Sequence, residues 1–241
     1  MKNRITFVAI DTNLHTLTKA AIDISVQNFE PDEVLIFTNE PERWGGYKTV
    51  LIEKFNSMKD YERVVLLMLP EYLNTDYSLI IHYDGFILNS NKFSSIYYDY
   101  DYIGAVWPNF NHFKVGNGGF NWRSRKLIDM VPQYYEKLQP TENEDVFICR
   151  TIRILLEDRH NISFASEDLA SHFSFESIPS KWLTFGFHGV MHLPFVYQNN
   201  LDFLLSNLSE RFLLERKYLL MPGIEKLGPE AVTKYKKYLG E

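Results

Sequence analysis

A strand–helix–strand alternation at the N-terminus leaves few folds open to this chain. Ile5-Thr6-Phe7-Val8-Ala9-Ile10 is a continuous apolar, β-branched run, which suits a strand buried on both faces. Asp11-Thr12-Asn13 follows as a cap, and residues 14–28 carry apolar positions at helical spacing (Leu14, Leu17, Ala21, Ile24). Glu33-Val34-Leu35-Ile36-Phe37-Thr38 is a second apolar run, ending at Asn39. A strand, a helix and a strand in that order predict a parallel pair joined by a right-handed crossover. Residues 48–53 read as a third strand and 61–73 as an amphipathic helix up to the region of Pro70. The class expected is α/β: a mostly parallel twisted sheet flanked by helices.

Residues 77–83 then form the strand on which the chain is centred. Its apolar stretch, Ile80-Ile81, runs into His82-Tyr83-Asp84-Gly85. Ligands of open α/β sheets bind beyond the carboxyl ends of the strands, so Asp84 is a candidate metal or phosphate-site residue. His82, two residues earlier, would share its face, and Gly85 would allow a turn or a close approach. The competing account is a plain turn after a strand.

Beyond residue 88 the pattern changes. Tyr97-Tyr98-Asp99-Tyr100-Asp101-Tyr102 is aromatic and acidic, and Trp107-Pro108 closes that block. Gly116-Asn117-Gly118-Gly119 is the densest glycine stretch. It lacks the spacing of a dinucleotide fingerprint and does not follow the first strand; no phosphate-loop motif occurs elsewhere. Asn117-Gly118 fits a type I′ hairpin turn, or else a backbone that a ligand approaches closely beside Trp122 and Arg123. Ser124 would cap a helix to Met130 that Pro132 disrupts. Residues 141–158 form the clearest helix, with Thr141 and Glu144 as a capping box. Capping accounts for Glu144 but less well for Asp145, a candidate general base. Leucine-rich helices over 201–220, broken at Pro222-Gly223, and a short basic helix over 232–239 end the chain. One catalytic domain (1–197) and a helical C-terminal tail (198–241) are the expected division.

Charge and cysteine content narrow the function. The formal net charge is −6, which argues against a general nucleic-acid or anionic-membrane binder. Cys149 is the single cysteine, so no intramolecular disulfide is available and it reads as a small buried residue. No window is long and apolar enough for a transmembrane segment, and a cytoplasmic location is expected. With 15 Tyr and 18 Phe the chain is rich in flat rings that suit cores and sugar faces alike. His188 and His192 are four apart, but the flanking glycines and Pro194 do not favour the helix that would aim both at one metal. Arg123, Arg125 and Lys126 form a small basic cluster, either a solvated helix start or a counter-charge for diphosphate. Asp99 and Asp101 would face solvent or a polyhydroxy acceptor.

Five stretches, taken in order, resemble a family of glycosyltransferase-like proteins with the GT-A type of fold, catalogued as a domain of unknown function. They are the 75–86 strand with His82-Tyr83-Asp84-Gly85-Phe86, the 99–107 tyrosine–aspartate block, Val115-Gly116-Asn117-Gly118-Gly119-Phe120 continuing to Arg125, Asn143-Glu144-Asp145-Val146-Phe147-Ile148-Cys149, and Thr184-Phe185-Gly186-Phe187-His188-Gly189. The resemblance covers residues 61–190. It implies a nucleoside-diphosphate sugar donor, a carbohydrate acceptor, and Mn²⁺ or Mg²⁺. On it, Asp84, His188 and His82 match the metal site, and Asp145 with Glu144 matches the catalytic pair of inverting members. The glycines Gly85, Gly118 and Gly119, with Asp11 and Asn39 at the first two strand ends, would meet the donor. Trp107, Asn117 and Trp122 would meet the acceptor. One departure stands out: the usual Asp-x-Asp is His82-Tyr83-Asp84 here, leaving one carboxylate, so weaker metal binding or metal independence is in question. The rival expectations are a non-catalytic sugar-nucleotide or glycan-binding module, and a metal-dependent phosphoester hydrolase using His82, Asp84, His188 and His192.

Overall fold

The structure is a computed structural model that describes residues 3–177 and 183–240. The chain divides into two compact units, Met1–Phe187 and His188–Glu241. In the first unit, β1 (Ile5–Asp11) is buried along its whole length, as its unbroken apolar run requires. It leads into α1 (His15–Asn28), then β2 (Glu33–Thr38) and β3 (Lys48–Leu51). Next come α2 (Met58–Arg63), a π-helical turn over Val64–Met68, α3 (Leu69–Tyr72) and β4 (Tyr77–Ile81). The short strands β5 (Tyr102–Ile103), β6 (Ala105–Val106) and β7 (Val115–Gly116) precede β8 (Phe120–Ser124) and α4 (Arg125–Leu138). Then follow α5 (Glu144–Val146), a second π-helical turn over Phe147–Thr151, α6 (Arg153–His160), α7 (Glu167–Phe173), β9 (Ser174–Phe175) and β10 (Gly186–Phe187).

The central sheet has the order β3-β2-β1-β4-β8-β5. β1 pairs in parallel with both β2 and β4, and β3 in parallel with β2. β8 is antiparallel to both its neighbours, β4 and β5, so it alone runs against the sheet. The chain builds outward from β1 to β3 and then returns to the other side of β1 with β4. That reversal opens a crevice at the carboxyl ends of β1 and β4, where ligands bind in such sheets.

Alternation along β8 sorts its side chains. Phe120 and Trp122 turn to an aromatic core; Trp122 is 1% exposed and lies 4.9 Å from the Tyr77 ring and 5.4 Å from that of Tyr98. Asn121 and Arg123 turn to the opposite face, where the site described below is built.

Several local expectations need correction. The strand expected over 77–83 ends at Ile81, because His82 and Gly85 close a tight reversal. The helix expected from Thr141 starts at Glu144, with Asn143 at its N-cap and no capping box. It is also not one helix: the π-helical turn divides it. α4 is capped by Ser124 as expected, whose hydroxyl accepts the Leu127 N–H at 3.1 Å, but it runs through Pro132 to Leu138. Asn117-Gly118 is not a hairpin, since β7 pairs with β6 while β8 pairs with β4 and β5.

The second unit consists of short helices: α8 (Leu193–Val196), α9 (Leu201–Ser206), α10 (Glu210–Glu215), α11 (Lys217–Lys226) and α12 (Pro229–Tyr238). α11 continues through Pro222-Gly223, where a break was expected. A Cβ at Gly223 would come within 3.1 Å of Pro194, so the glycine permits that close packing. Tyr235 is buried and donates its hydroxyl to the Leu213 carbonyl at 2.7 Å. Among the described residues no helix is long and apolar enough to cross a membrane.

Candidate functional site

After β4 the chain folds back in two residues. The His82 N–H donates to the Gly85 carbonyl at 3.0 Å and the Gly85 N–H to the His82 carbonyl at 3.1 Å. Tyr83 and Asp84 form the tip, and Asp84 is buried. The stretch is a turn, and the turn places a buried acid at the strand end. The chain leaving the turn pairs antiparallel with the 185–187 segment in the register Ile87↔Gly186, with Phe187 N–H donating to the Phe86 carbonyl at 3.3 Å. Continued by one step, that register carries residue 188 back toward Gly85. Gly186 is what lets the segment in, since a Cβ there would lie 2.4 Å from the Phe120 ring. His188, directly after β10, is thereby delivered beside the turn. The ligand atoms of His82, Asp84 and His188 all lie within 4.8 Å of one another.

Two imidazoles and a carboxylate are a donor set that divalent first-row transition metals accept. A neighbouring group supports the fit: the Tyr61 hydroxyl, from α2, hydrogen-bonds His82 Nε2 at 2.9 Å, with the rings edge to face. Partners of this kind hold a ligating histidine in one tautomer and orientation. Tyr61 is buried, and burial, then the charge of Glu144, push its phenol well above the ordinary range. It bonds to His82, and the charges of both Glu144 and Asp145 act on the same phenol. His192 is not part of the cluster among the described residues.

The second group sits under the glycine loop. Arg123 is 1% exposed and Glu144 3% exposed, and an Arg123 Nη–H donates to Glu144 Oε1 at 3.0 Å. Arg123 Nε–H donates to Asn121 Oδ1 at 2.6 Å, and Asn121 Nδ2–H donates to the carbonyls of Asn117 and Gly118 at 2.9 and 2.8 Å. The Asp145 carboxylate accepts the Val146 N–H at 2.7 Å. A Cβ on Gly118 would lie 2.6 Å from Glu144 Oε1, so only glycine fits over this carboxylate. Burial, then the Asp145 charge, lift the Glu144 carboxyl to about 7, against the pull of Arg123. Asp145 is partly exposed; burial raises its carboxyl too, while hydrogen bonds from the backbone and the Arg123 charge oppose the shift.

The remaining sequence candidates are dispersed. Asp11 Oδ1 accepts the N–H groups of Asn13 and Leu14 at 2.7 and 2.9 Å, and Oδ2 accepts the Thr18 hydroxyl, so this carboxylate caps α1 at the end of β1. Asn39, after β2, has its Oδ1 3.0 Å from Nε2 of His15. Gly119 donates its N–H to Asn117 Oδ1 at 2.7 Å. Asn117 and Trp122, expected to meet an acceptor, are 1% exposed, so neither side chain is presented to one. Asn117 instead braces the loop at a φ of 125°. Trp107 is half-buried, with its ring over Gly116, where a Cβ would fall 2.1 Å from the indole. The expected basic cluster does not form: Arg123 is buried, Arg125 pairs with Asp129 at 2.8 Å, and Lys126 donates to the Asn161 carbonyl at 2.7 Å. Asp101 is tied to Ser124 and Ser163 rather than offered to a ligand. Cys149 is buried, as its apolar neighbours imply.

Sequence reasoning missed Tyr61 and the buried role of Arg123. The signal for Arg123 lay in β8, whose alternation sets Asn121 and Arg123 opposite Phe120 and Trp122. Nothing local to Tyr61 marks it, because it meets His82 only through the tertiary fold.

The architecture has known relatives. It is similar to a glycosyltransferase involved in the glycosylation of the major capsid of PBCV-1, at 9% identity and a TM-score of 0.51, over 78% of this chain and 93% of that one. It also aligns with the galactosyltransferase LgtC in complex with donor and acceptor sugar analogs, at 11% identity and a TM-score of 0.48, over 77% of this chain and 87% of that one. The glycosyltransferase GlyE of Streptococcus pneumoniae TIGR4 aligns at 12% identity and a TM-score of 0.47, over 78% of this chain and 54% of that one. No curated protein sequence matches the chain. At such identities the first of these likenesses speaks for the fold alone, a GT-A-like one. A family model, described as Protein of unknown function (DUF5672), matches residues 47–188, which hold the turn at Asp84, the glycine loop, the Glu144-Asp145 helix start and His188. That match spans more than half of the sequence, and the chain belongs to this family.

Proposed function

We propose that this protein transfers a sugar from a nucleoside-diphosphate sugar to a carbohydrate hydroxyl with inversion, using Asp145 as general base. The observation that carries the reading is Tyr61, which bonds His82 of the His82–Asp84–His188 cluster and whose phenol the Glu144 and Asp145 charges push up. A group suited to hold a cation, and through it a diphosphate, is thus linked through one buried phenol to the field of a partly exposed carboxylate on a GT-A-like frame.

In this reading His82, Asp84 and His188 hold Mn²⁺ or a similar ion, which when bound neutralises charge on the leaving diphosphate. Asp145 accepts the proton of the acceptor hydroxyl as its oxygen bonds to the anomeric carbon. The bond from that carbon to the diphosphate oxygen breaks, and the nucleoside diphosphate leaves with the electron pair. A carboxyl raised by burial suits this task, because a base works best with a pKa near the operating pH. Glu144 is enclosed by Arg123 and Gly118, so its part is to position the helix start. Trp107, half-buried beside the glycine loop, offers a ring for the acceptor sugar.

The test is a panel of nucleoside-diphosphate sugars with and without Mn²⁺, alongside Asp84→Ala and Asp145→Asn. The reading expects metal-dependent donor binding that Asp84→Ala removes. It also expects transfer that Asp145→Asn lowers by about 10²–10⁴-fold with donor binding kept. Binding without turnover would assign a sugar-nucleotide or glycan-binding module instead. Transfer at near wild-type rate in Asp145→Asn would sink the base assignment.

A further inference from the structure

Hydrogen bonds from Arg123 run to both sides of the carboxylate pair. One arm reaches Glu144 at 3.0 Å, and Asp145 is the next residue, with its carboxylate accepting the Val146 N–H at 2.7 Å. The other arm reaches Asn121 at 2.6 Å, Asn121 holds the Gly118 carbonyl at 2.8 Å, and Gly118 packs on Glu144 so closely that a Cβ would lie 2.6 Å from Oε1. Arg123 therefore grips both the start of α5, from which Asp145 projects, and the loop that packs against it. Every member beneath the loop is buried, with Asn121 at 0% and Arg123 at 1% exposure. A guanidinium that is fully enclosed cannot greet a diphosphate or an acceptor; its influence has to pass through its neighbours. The planar fork is also specific, since it serves a carboxylate and an amide in two fixed directions, which a lysine ammonium does not reproduce.

We propose that Arg123 is the positioning residue of Asp145, acting through Glu144 on one side and through Asn121 and Gly118 on the other. This rests on the reading of Asp145 as general base. Among the described residues, the groups in electrostatic interaction with the carboxylate are Arg123 from β8, Glu144 on its own element, Tyr61 from α2, Tyr102 from β5, Cys149 from the π-helical turn, and Glu176 after β9. Arg123 is the cation among them. Removing it leaves Asp145 among acids and neutral groups, so the carboxyl must move further up.

The experiment titrates the ¹³C-labelled carboxyls of the whole chain by NMR, with Asp145→Asn giving the assignment, in wild type, Arg123→Met and Arg123→Lys. Arg123→Met is expected to raise the Asp145 transition by at least one pH unit, a tenfold change in its ionised fraction at a given pH. Arg123→Lys keeps the charge and loses the fork. It is expected to leave the transition within a few tenths of a unit while kcat falls at least tenfold and donor KM stays unchanged. In the transfer assay the acidic limb of the kcat profile should follow the NMR transition. An Asp145 transition that stays in place in folded Arg123→Met overturns the proposal. Should Arg123→Met fail to fold, Arg123→Lys decides: kcat within twofold of wild type overturns the proposal, and the split between kcat and KM supports it. The titration needs no turnover. A coupled titration in a protein that transfers no sugar would remove the transferase reading and leave the coupling; transfer with an uncoupled titration would do the reverse.

Discussion

Gly118→Ala isolates the packing on which the carboxylate pair depends. Gly118 is not held at a positive φ, so the folded-state penalty comes from the methyl group, set against the gain of about 0.4–1 kcal/mol that alanine brings by stiffening the unfolded chain. That methyl would lie 2.6 Å from Glu144 Oε1, 3.1 Å from Oε2 and 3.2 Å from Cδ. The obstacle is no flexible surface chain but a 3%-exposed carboxylate ion-paired to a buried arginine. Overpacking a close-fitted interior costs about 1–3 kcal/mol, and breaking a buried ion pair outright about 3–5 kcal/mol. A shifted but unbroken pair should cost about 2–3 kcal/mol. Urea unfolding followed by tryptophan emission measures it, because Trp44, Trp107 and Trp122 all lie in the first unit. At about 2–4 °C per kcal/mol for a unit of this size, the same loss lowers its melting temperature by about 4–12 °C. The control is the same substitution in an Arg123→Met, Glu144→Ala background, where the methyl has room and should cost less than about 0.5 kcal/mol. Equal costs in the two backgrounds would refute the packing argument, since residues in contact should couple by about 0.5–3 kcal/mol.

Three further outcomes follow from the same geometry. Because the Glu144 carboxyl rises to about 7 in the folded chain from 4.5, the native state keeps a proton that the unfolded chain releases. Stability should therefore be greatest below about pH 4.5 as far as this group is concerned. It should decline by up to about 3 kcal/mol as pH rises to about 7, and unfolding in urea across that range should show Glu144→Gln flattening the decline. Tyr61→Phe removes the hydroxyl at His82 Nε2 and should weaken Mn²⁺ binding by about 10–100-fold, read by titration calorimetry, with the fold intact. Gly116→Ala would place a methyl 2.1 Å from the Trp107 indole and should drive the ring outward, seen as a red-shifted emission with about 1–3 kcal/mol lost.

What the sequence made legible follows from how locally each feature is determined. β1, α1 and β2 came through because apolar runs and helical spacing are properties of a few neighbouring residues, and their parallel pairing follows from chain handedness. The glycines came through as constraints but not in kind. Asn117-Gly118 carries the residues of a hairpin turn, yet its flanking strands join different partners, so the asparagine uses its side chain to hold the N–H groups of Gly119 and Phe120 instead. The same limit explains Arg123. Beside Arg125 and Lys126 it belongs to a basic cluster by composition, and only the pleat of β8, with the arrival of Glu144 from twenty-one residues away, shows it to be buried and paired. Glu144 was misassigned for a related reason. An acid near a helix start is adequately explained by capping, and nothing nearby reveals that the helix begins at Glu144 itself with its carboxylate turned inward. Where a residue's neighbours lie within a turn or two of chain, its role could be read in advance. Where they come from another strand, the charge that looked solvated became the centre of a closed network. Asp145 accepts the N–H of its own neighbour Val146, but the positive charge that acts on it comes from Arg123 on β8, which its own sequence context never names.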